Sequence, residues 1–222
     1  MNNIKIYTAT KGNKEDCTLY KCIQGYGIEH LGVSIHYEDK NTKSLQQCYN
    51  NFINDARKGD IDIAVMIHDD VHINTRDLYS LLSKAAEQYT VFGVAGATSC
   101  KVGSPALWHL MSKREDQRGC VAHGSEKSYM YTSFGPVPSR CLVIHGVFIG
   151  INIKELPENV KFDESYPSKF HYYDLDFSLE CNRNSVKIGV VDIPIIHLSP
   201  GLLHPDNEFY SGQEYFINKW KK

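Results

Sequence analysis

The feature that most restricts the fold is residues 61–71, IDIAVMIHDDV. Apolar or β-branched residues (Ile61, Ile63, Ala64, Val65, Met66, Ile67) follow one another almost without a break, then stop at His68, Asp69 and Asp70. An apolar run this short and continuous, introduced by Gly59-Asp60, suits a strand buried on both faces of a parallel sheet. Ligands of such sheets gather beyond the carboxyl ends of the strands. Two adjacent carboxylates at that edge repel each other, and a hard divalent cation between them relieves the repulsion. The same pair serves equally to begin a loop and cap the next helix.

The flanking sequence repeats the pattern. Residues 4–9 (IKIYTA) read as a first strand that runs out into Thr8, Thr10 and Gly12, and residues 32–37 (GVSIHY) as a second, with Glu38 and Asp39 at its end. Residues 18–26 suit a short helix. Before IDIAVMI, Leu45, Cys48, Tyr49, Phe52, Ile53 and Ala56 recur at helical spacing, with N-cap residues among 41–44 and Gly59 closing the element. Strand, helix and parallel strand make a βαβ unit. Thr75 is placed to cap a helix whose stripe is Leu78, Leu81, Leu82, Ala85 and Tyr89, and residues 91–96 (VFGVAG) follow as one buried strand. The expectation is an α/β fold with a central, mostly parallel sheet flanked by helices.

Beyond residue 96 the pattern loosens. Residues 97–140 hold Ser104-Pro105, Trp108 and the charged run Lys113, Arg114, Glu115, Asp116 without clear periodicity. A connection this long hides irregular strands or shapes a substrate pocket; a solvated excursion fits it as well. Residues 141–151 (CLVIHGVFIGI) return as one strand in which Gly146 permits a bulge or close backbone approach. Residues 170–176 (FHYYDLD) open a helix, residues 186–196 form a late β-segment ending at His197, and an aromatic-rich tail follows from Gly201.

The net charge of -2, from 24 basic and 26 acidic residues, gives no electrostatic reason to expect nucleic acid or an anionic membrane as partner. No apolar run approaches the roughly 20 residues of a transmembrane helix, and the N-terminus lacks a signal-peptide core. Seven scattered cysteines without a CxxC pair read as reduced thiols of a cytoplasmic protein. Ten histidines without HExxH read mostly as surface or packing residues.

Three groups remain for chemistry: Asp69-Asp70, Asp174-Asp176 and His197. On a helix, Asp174 and Asp176 point roughly 200° apart and cannot face one reaction centre. One of them suits a cap at the helix N-terminus, leaving the other free to act. His197 alone reads as a hydrogen-bonded packing residue. Together with the carboxylates it makes an Asp–His set around a divalent ion, suited to metal-assisted transfer from a phosphorylated donor.

Five segments occur in order over nearly the whole chain: SLQQCYNNFINDARKGDIDIAVMIHDDVHI, VFGVAGA, VIHGVFIGI, FDESYPSKFHYYDLDFSLEC and VVDIPIIHLSPG. As a set they resemble a GT-A glycosyltransferase of the family 2 type, particularly the subgroup related to streptomycin-biosynthesis glycosyltransferase-like proteins. The resemblance implies a single Rossmann-like GT-A domain. Residues 1–96 would be its nucleotide-binding half, residues 97–200 a smaller, irregular acceptor and catalytic half, and residues 201–222 a tail.

It also implies a nucleotide-sugar donor, a saccharide or other hydroxyl acceptor, and Mn²⁺ or Mg²⁺ bridging the diphosphate. His68-Asp69-Asp70 stands where the family has its DxD-type motif, with Asp70 as metal ligand, Asp69 on ribose or metal, and His68 in place of the first acidic residue. His197 matches the late histidine that completes metal binding in some relatives. Tyr173-Asp174-Leu175-Asp176 stands where many relatives carry Glu-Asp-x-Asp, with Asp174 as base and Tyr173 in place of the usual Glu. Thr8, Thr10 and Asp39 fall where base and ribose are usually held, and with His68 and Asp69 they are the candidate nucleotide-sugar contacts. Trp108, His145, Gly146, Tyr173 and Asp176 are candidate acceptor or sugar contacts; Trp108, Tyr173 and the further aromatics Tyr129, Tyr131 and Tyr172 suit stacking on a sugar and, equally, core or surface packing. The implied reaction has Asp174 take the proton of an acceptor hydroxyl that attacks the anomeric carbon with inversion. Other readings of the same residues are a metal-dependent nucleotidyltransferase or phosphohydrolase, and a non-catalytic nucleotide-sugar binder.

Overall fold

The computed structural model describes residues 1–125, 127–199 and 205–221. The Pro-Gly end of the last segment and the start of the tail, residues 200–204, lie outside the described residues, as does Lys222. In chain order the strands are β1 (Ile4–Ala9), β2 (Ser34–Glu38), β3 (Ile63–Ile67), β4 (Val71–Ile73), β5 (Val91–Gly93), β6 (Ala95–Ala97), β7 (Gln117–Ser125), β8 (Ser128–Gly135), β9 (Ser139–Arg140), β10 (Val143–Ile144), β11 (Phe148–Asn152), β12 (Ile188–Val190) and β13 (Ile195–His197). The α-helices are α1 (Thr18–Tyr26), α2 (Ile28–Leu31), α3 (Leu45–Lys58), α4 (Leu78–Gln88), α5 (Tyr173–Arg183) and α6 (Asn207–Trp220).

The large sheet has the order β2-β1-β3-β11-β5-β12-β9. Strands β2, β1, β3, β5 and β12 run one way, and β11 and β9 run against them. Every residue of β3 is buried, as its continuous apolar run requires. Its alternate residues serve opposite layers. Ile63, Val65 and Ile67 pack with Leu19 and Ile23 of α1 and Leu78 and Leu82 of α4, whereas Ala64 and Met66 pack with Tyr49 and Phe52 of α3 and Phe177 of α5. Helix α3 starts on a capping box in which Ser44 Oγ accepts from Gln47 N–H while Gln47 Oε1 accepts from Ser44 N–H. Thr75 does not cap α4. The N-cap is Asp77, and the Thr75 hydroxyl accepts its N–H across a local turn.

A second sheet, β10-β6-β7-β13-β4 with β8 hydrogen-bonded to β7, abuts the first. Two apolar runs expected as single strands and the late β-segment each divide between the sheets: β5 passes to β6 at Val94, β10 to β11 through residues 145–147, and β12 to β13 through residues 191–194. The run through residues 61–73 does the same, from β3 to β4 across His68, Asp69 and Asp70. Apolar periodicity reports burial, and a strand that changes sheets stays buried throughout, so the division leaves no local trace. Residues 97–140 contain the β7–β8 hairpin rather than a solvated excursion. No helix among the described residues is long and apolar enough to cross a membrane.

Candidate active site

The seam between the sheets collects the chemical groups. Strand β13 pairs antiparallel with β4, setting His197 opposite Val71, and Leu198 N–H donates to the Asp70 carbonyl at 3.0 Å. His197 Nε2 consequently lies 3.3 Å from Asp70 Oδ1. His68 joins them: one ligand atom each from His68, Asp70 and His197 fall within 4.8 Å of one another. Burial pushes the Asp70 carboxyl up, but the neighbouring His197 and His68 outweigh it and hold it low. Burial lowers His68 to about 4, so its imidazole is neutral and keeps a lone pair.

These residues suit a divalent cation. Asp70 Oδ1 and His197 Nε2 are both buried and have each other at 3.3 Å, but neither makes a hydrogen bond of good geometry. Buried polar atoms so incompletely satisfied are costly, and a cation between them would engage both. One carboxylate and two imidazoles is a donor set that first-row transition ions accept.

Asp69, expected on metal or ribose, stands apart from that cluster. Burial raises its carboxyl, against a hydrogen bond with Thr10 that lowers it. Consecutive side chains leaving a strand diverge, so Asp70 faces His197 while Asp69 faces the end of β1. Thr8 and Thr10 are buried at that end, Thr8 Oγ1 without a partner. Asp39 is exposed in the turn after β2, which is tied to the β1 loop by Asn41 N–H donating to the Thr10 carbonyl at 2.8 Å.

On the other side of the cluster opens a cavity of about 690 Å³. His68, Asp70, His197, Asp174, Tyr173 and His145 all contribute to its wall. Asp174 sits in the first turn of α5; its Oδ2 accepts from Gly146 N–H at 2.8 Å and its Oδ1 from Leu175 N–H at 2.9 Å. Burial nevertheless raises its carboxyl to about 6, because those backbone donors offset only part of the lost hydration. Gly146 allows the approach: a Cβ there would overlap the Tyr173 ring. Trp108 lies edge-on to Phe134 and 6.2 Å from the His145 ring. His145, buried among other imidazoles, is lowered to about 3 and is neutral.

Several expected contacts lie elsewhere. Asp176 points away from the cavity into the anchorage of α6: it accepts from Tyr166 Oη at 2.9 Å and Trp220 Nε1 at 2.7 Å, and Lys219 Nζ lies 2.8 Å from Oδ1. The two-residue offset on the helix dictates this divergence. Tyr129 and Tyr131 are exposed on β8, where both hydroxyls take hydrogen bonds from Asn74 Nδ2. Tyr172 does line the cavity, in a left-handed backbone conformation at φ 68° that starts α5.

The histidines differ most from expectation. Six of the ten (His68, His109, His123, His145, His171, His197) line this one cavity. His123 was missed because β7 is rich in glycine and polar residues, yet Gln117, Val121 and His123 alternate along it and all face the cavity. That alternation was the available signal.

A carboxylate–imidazole cluster beyond the carboxyl end of β3, with a second carboxylate in the adjoining cavity, is carried on a mixed α/β fold of the GT-A glycosyltransferase type. The chain belongs to the glycosyltransferase-like family, whose model matches residues 17–208. No curated protein matches the sequence. Among solved structures, GalNAc-T7 crystallised with UDP, GalNAc and Mn²⁺ is similar at a TM-score of 0.60 and 9% identity, over 99% of this chain and 48% of that one. A197 from STIV is similar at a TM-score of 0.51 and 10% identity, over 86% and 82%. At such identities the likeness is one of fold, and the chain spans about half the length of GalNAc-T7.

Proposed function

We propose that this protein transfers a sugar from a nucleoside-diphosphate sugar to an acceptor hydroxyl, with inversion and with help from a divalent ion, Mn²⁺ or Mg²⁺. The ordered segments favour the subgroup related to streptomycin-biosynthesis glycosyltransferase-like proteins, and seven free cysteines suit a cytoplasmic setting. The observation that carries the reading is that Asp70 and His197, far apart in sequence, meet in the wall of the cavity that also holds Asp174. The fold it shares with GalNAc-T7, which was crystallised with UDP, GalNAc and Mn²⁺, is consistent with it.

Asp70 and His197 would hold the ion, which when bound supplies positive charge against the leaving diphosphate. Thr8, Thr10 and Asp69, on the β1 side of that cluster, would take base and ribose, so donor and acceptor approach from opposite sides of the seam. Asp174 is the base. Held by the N–H groups of Gly146 and Leu175, it is fixed in direction, and its raised pKa puts its basicity near the working pH. Trp108 and His145 contribute an uncharged wall against which the acceptor is oriented and from which water is excluded.

The test is thermal stability with Mn²⁺ and a panel of UDP, GDP and dTDP sugars, followed by transfer assays. One metal–nucleotide pair should raise Tm in the wild type and fail to do so in Asp70→Ala. Product of inverted anomeric configuration should form in the wild type and not in Asp174→Asn. Stabilisation by every nucleotide without metal, or transfer surviving Asp174→Asn, rules the assignment out.

A further inference from the structure

We propose that Tyr173 is a positioning residue that turns His68 into a third metal ligand, giving a centre of two imidazoles and one carboxylate that prefers Co²⁺ and Mn²⁺ to Mg²⁺. This rests on the metal-site reading above and deepens it. His68 and Tyr173 each occupy a position where an acidic residue was expected, and they lie 105 residues apart in the chain. Their side chains meet: His68 Nε2 lies 2.5 Å from the Tyr173 hydroxyl. Each departure from the acidic pattern therefore answers the other.

The hydroxyl is not free to swing away. The Tyr173 ring is buried, stands edge-on to Tyr49 at 5.3 Å and 84°, and packs over Gly146, where any side chain would collide with it. A neutral imidazole carries one N–H and one lone pair. With the proton on Nε2 donating to the Tyr173 oxygen, the lone pair stays on Nδ1, the tautomer a ligand needs. Such a hydrogen bond orients a ligating imidazole, and its loss typically costs about 10–100-fold in metal affinity. His68, Asp70 and His197 already bring their donor atoms within 4.8 Å of one another.

The donor set then decides the ion. Mg²⁺ requires oxygen donors and keeps its waters, whereas imidazole nitrogen binds first-row transition ions with affinity rising from Mn²⁺ to Co²⁺. Replacing one expected carboxylate by an imidazole also removes a negative charge, which weakens the site for a hard ion more than for a borderline one.

Isothermal titration of the metal-stripped full chain with CoCl₂, MnCl₂ or MgCl₂ alone, together with the visible spectrum of the Co²⁺ form, tests this. The wild type should bind Co²⁺ and Mn²⁺ at least about tenfold more tightly than Mg²⁺. Tyr173→Phe, which removes only the hydroxyl, should weaken Co²⁺ about 10–100-fold, change the Co²⁺ spectrum and leave Mg²⁺ nearly unaffected. His68→Asp should bring Mg²⁺ close to Mn²⁺. Equal preference in the wild type, an unchanged Co²⁺ spectrum in Tyr173→Phe, or equal weakening of all three ions would overturn the proposal while leaving the metal-dependent reading in place. Failure of the wild type to bind any of the ions, alone or with UDP, would instead remove that reading itself.

Discussion

Asp174 and Asp176 stand on the same turn of α5, and their neighbours give them opposite tasks. Asp176 is almost fully buried and shares its oxygens among the Tyr166 hydroxyl, the Trp220 indole N–H and the Lys219 ammonium. Burial works against that ammonium, but Asp163 and Asp176 outweigh it and raise its pKa, so the cluster clamps α6 to the body as a charged unit. Among the described residues Asp174 is held by backbone N–H groups alone, and it faces the cavity. A buried carboxylate engaged by side-chain donors and turned from the cavity is out of a substrate's reach and becomes structural. One fixed by the backbone keeps its direction and its reactivity.

The sharpest way to break the comparison is to neutralise each member in turn. Asp174→Asn should lower kcat by about 10²–10⁴-fold with donor affinity unchanged, measured as initial transfer rates against a nucleotide-binding titration. Asp176→Ala should instead destabilise the fold by about 3 kcal/mol, because Lys219 is left with less compensation for its burial. At roughly 2–4 °C per kcal/mol for a chain of this size, calorimetry should show Tm falling by about 6–12 °C, while the folded fraction retains transfer. Equal loss of transfer in both variants would abolish the distinction.

Gly146→Ala probes the support of Asp174. Its new methyl overlaps the Tyr173 ring, so a cost of about 1–3 kcal/mol is expected in denaturant melts. Transfer should fall as well, because the N–H that holds Asp174 moves.

The smallest effect concerns pH. Asp174 titrates at about 6 when folded, above the ordinary 3.8, with burial as the main cause. Between those values the folded chain binds the proton that the unfolded chain has released, so stability falls as pH rises through the window. Asp174→Asn should therefore raise Tm by a few degrees at pH 7.5 and not at pH 3. Over the same window kcat should rise with pH and level off above about 6, as a base that must be ionised requires. A flat kcat profile would remove Asp174 from proton transfer.

Much of the fold was legible because its signals are short in range. The bounds of β1 and α1 match the expected 4–9 and 18–26, and the stripe Leu45 to Ala56 gave α3. Each depends on residues within a few positions of one another. The second sheet was not legible. Residues 91–96 and 141–151 read as single strands, and 186–191 with 193–196 as one late β-segment, because nothing in an apolar run marks where it leaves one sheet for another. The cavity suffered from the same limit: His123 and His145 look scattered until β6, β7 and β10 are paired side by side, and His109 and His171 join them from segments outside those strands.

What the chain settles alone is whatever its own axis dictates. The apolar run into His68, Asp69 and Asp70 determined a doubly buried strand with carboxylates at its end, and a two-residue offset on a helix determined that Asp174 and Asp176 diverge. Tertiary structure decided which of the two faces the cavity, that His197 lies against Asp70, and that His68 meets Tyr173. The physical reason is that periodicity orients a side chain about its own strand or helix, whereas the group it meets is supplied by strand pairing between distant segments, here β4 with β13.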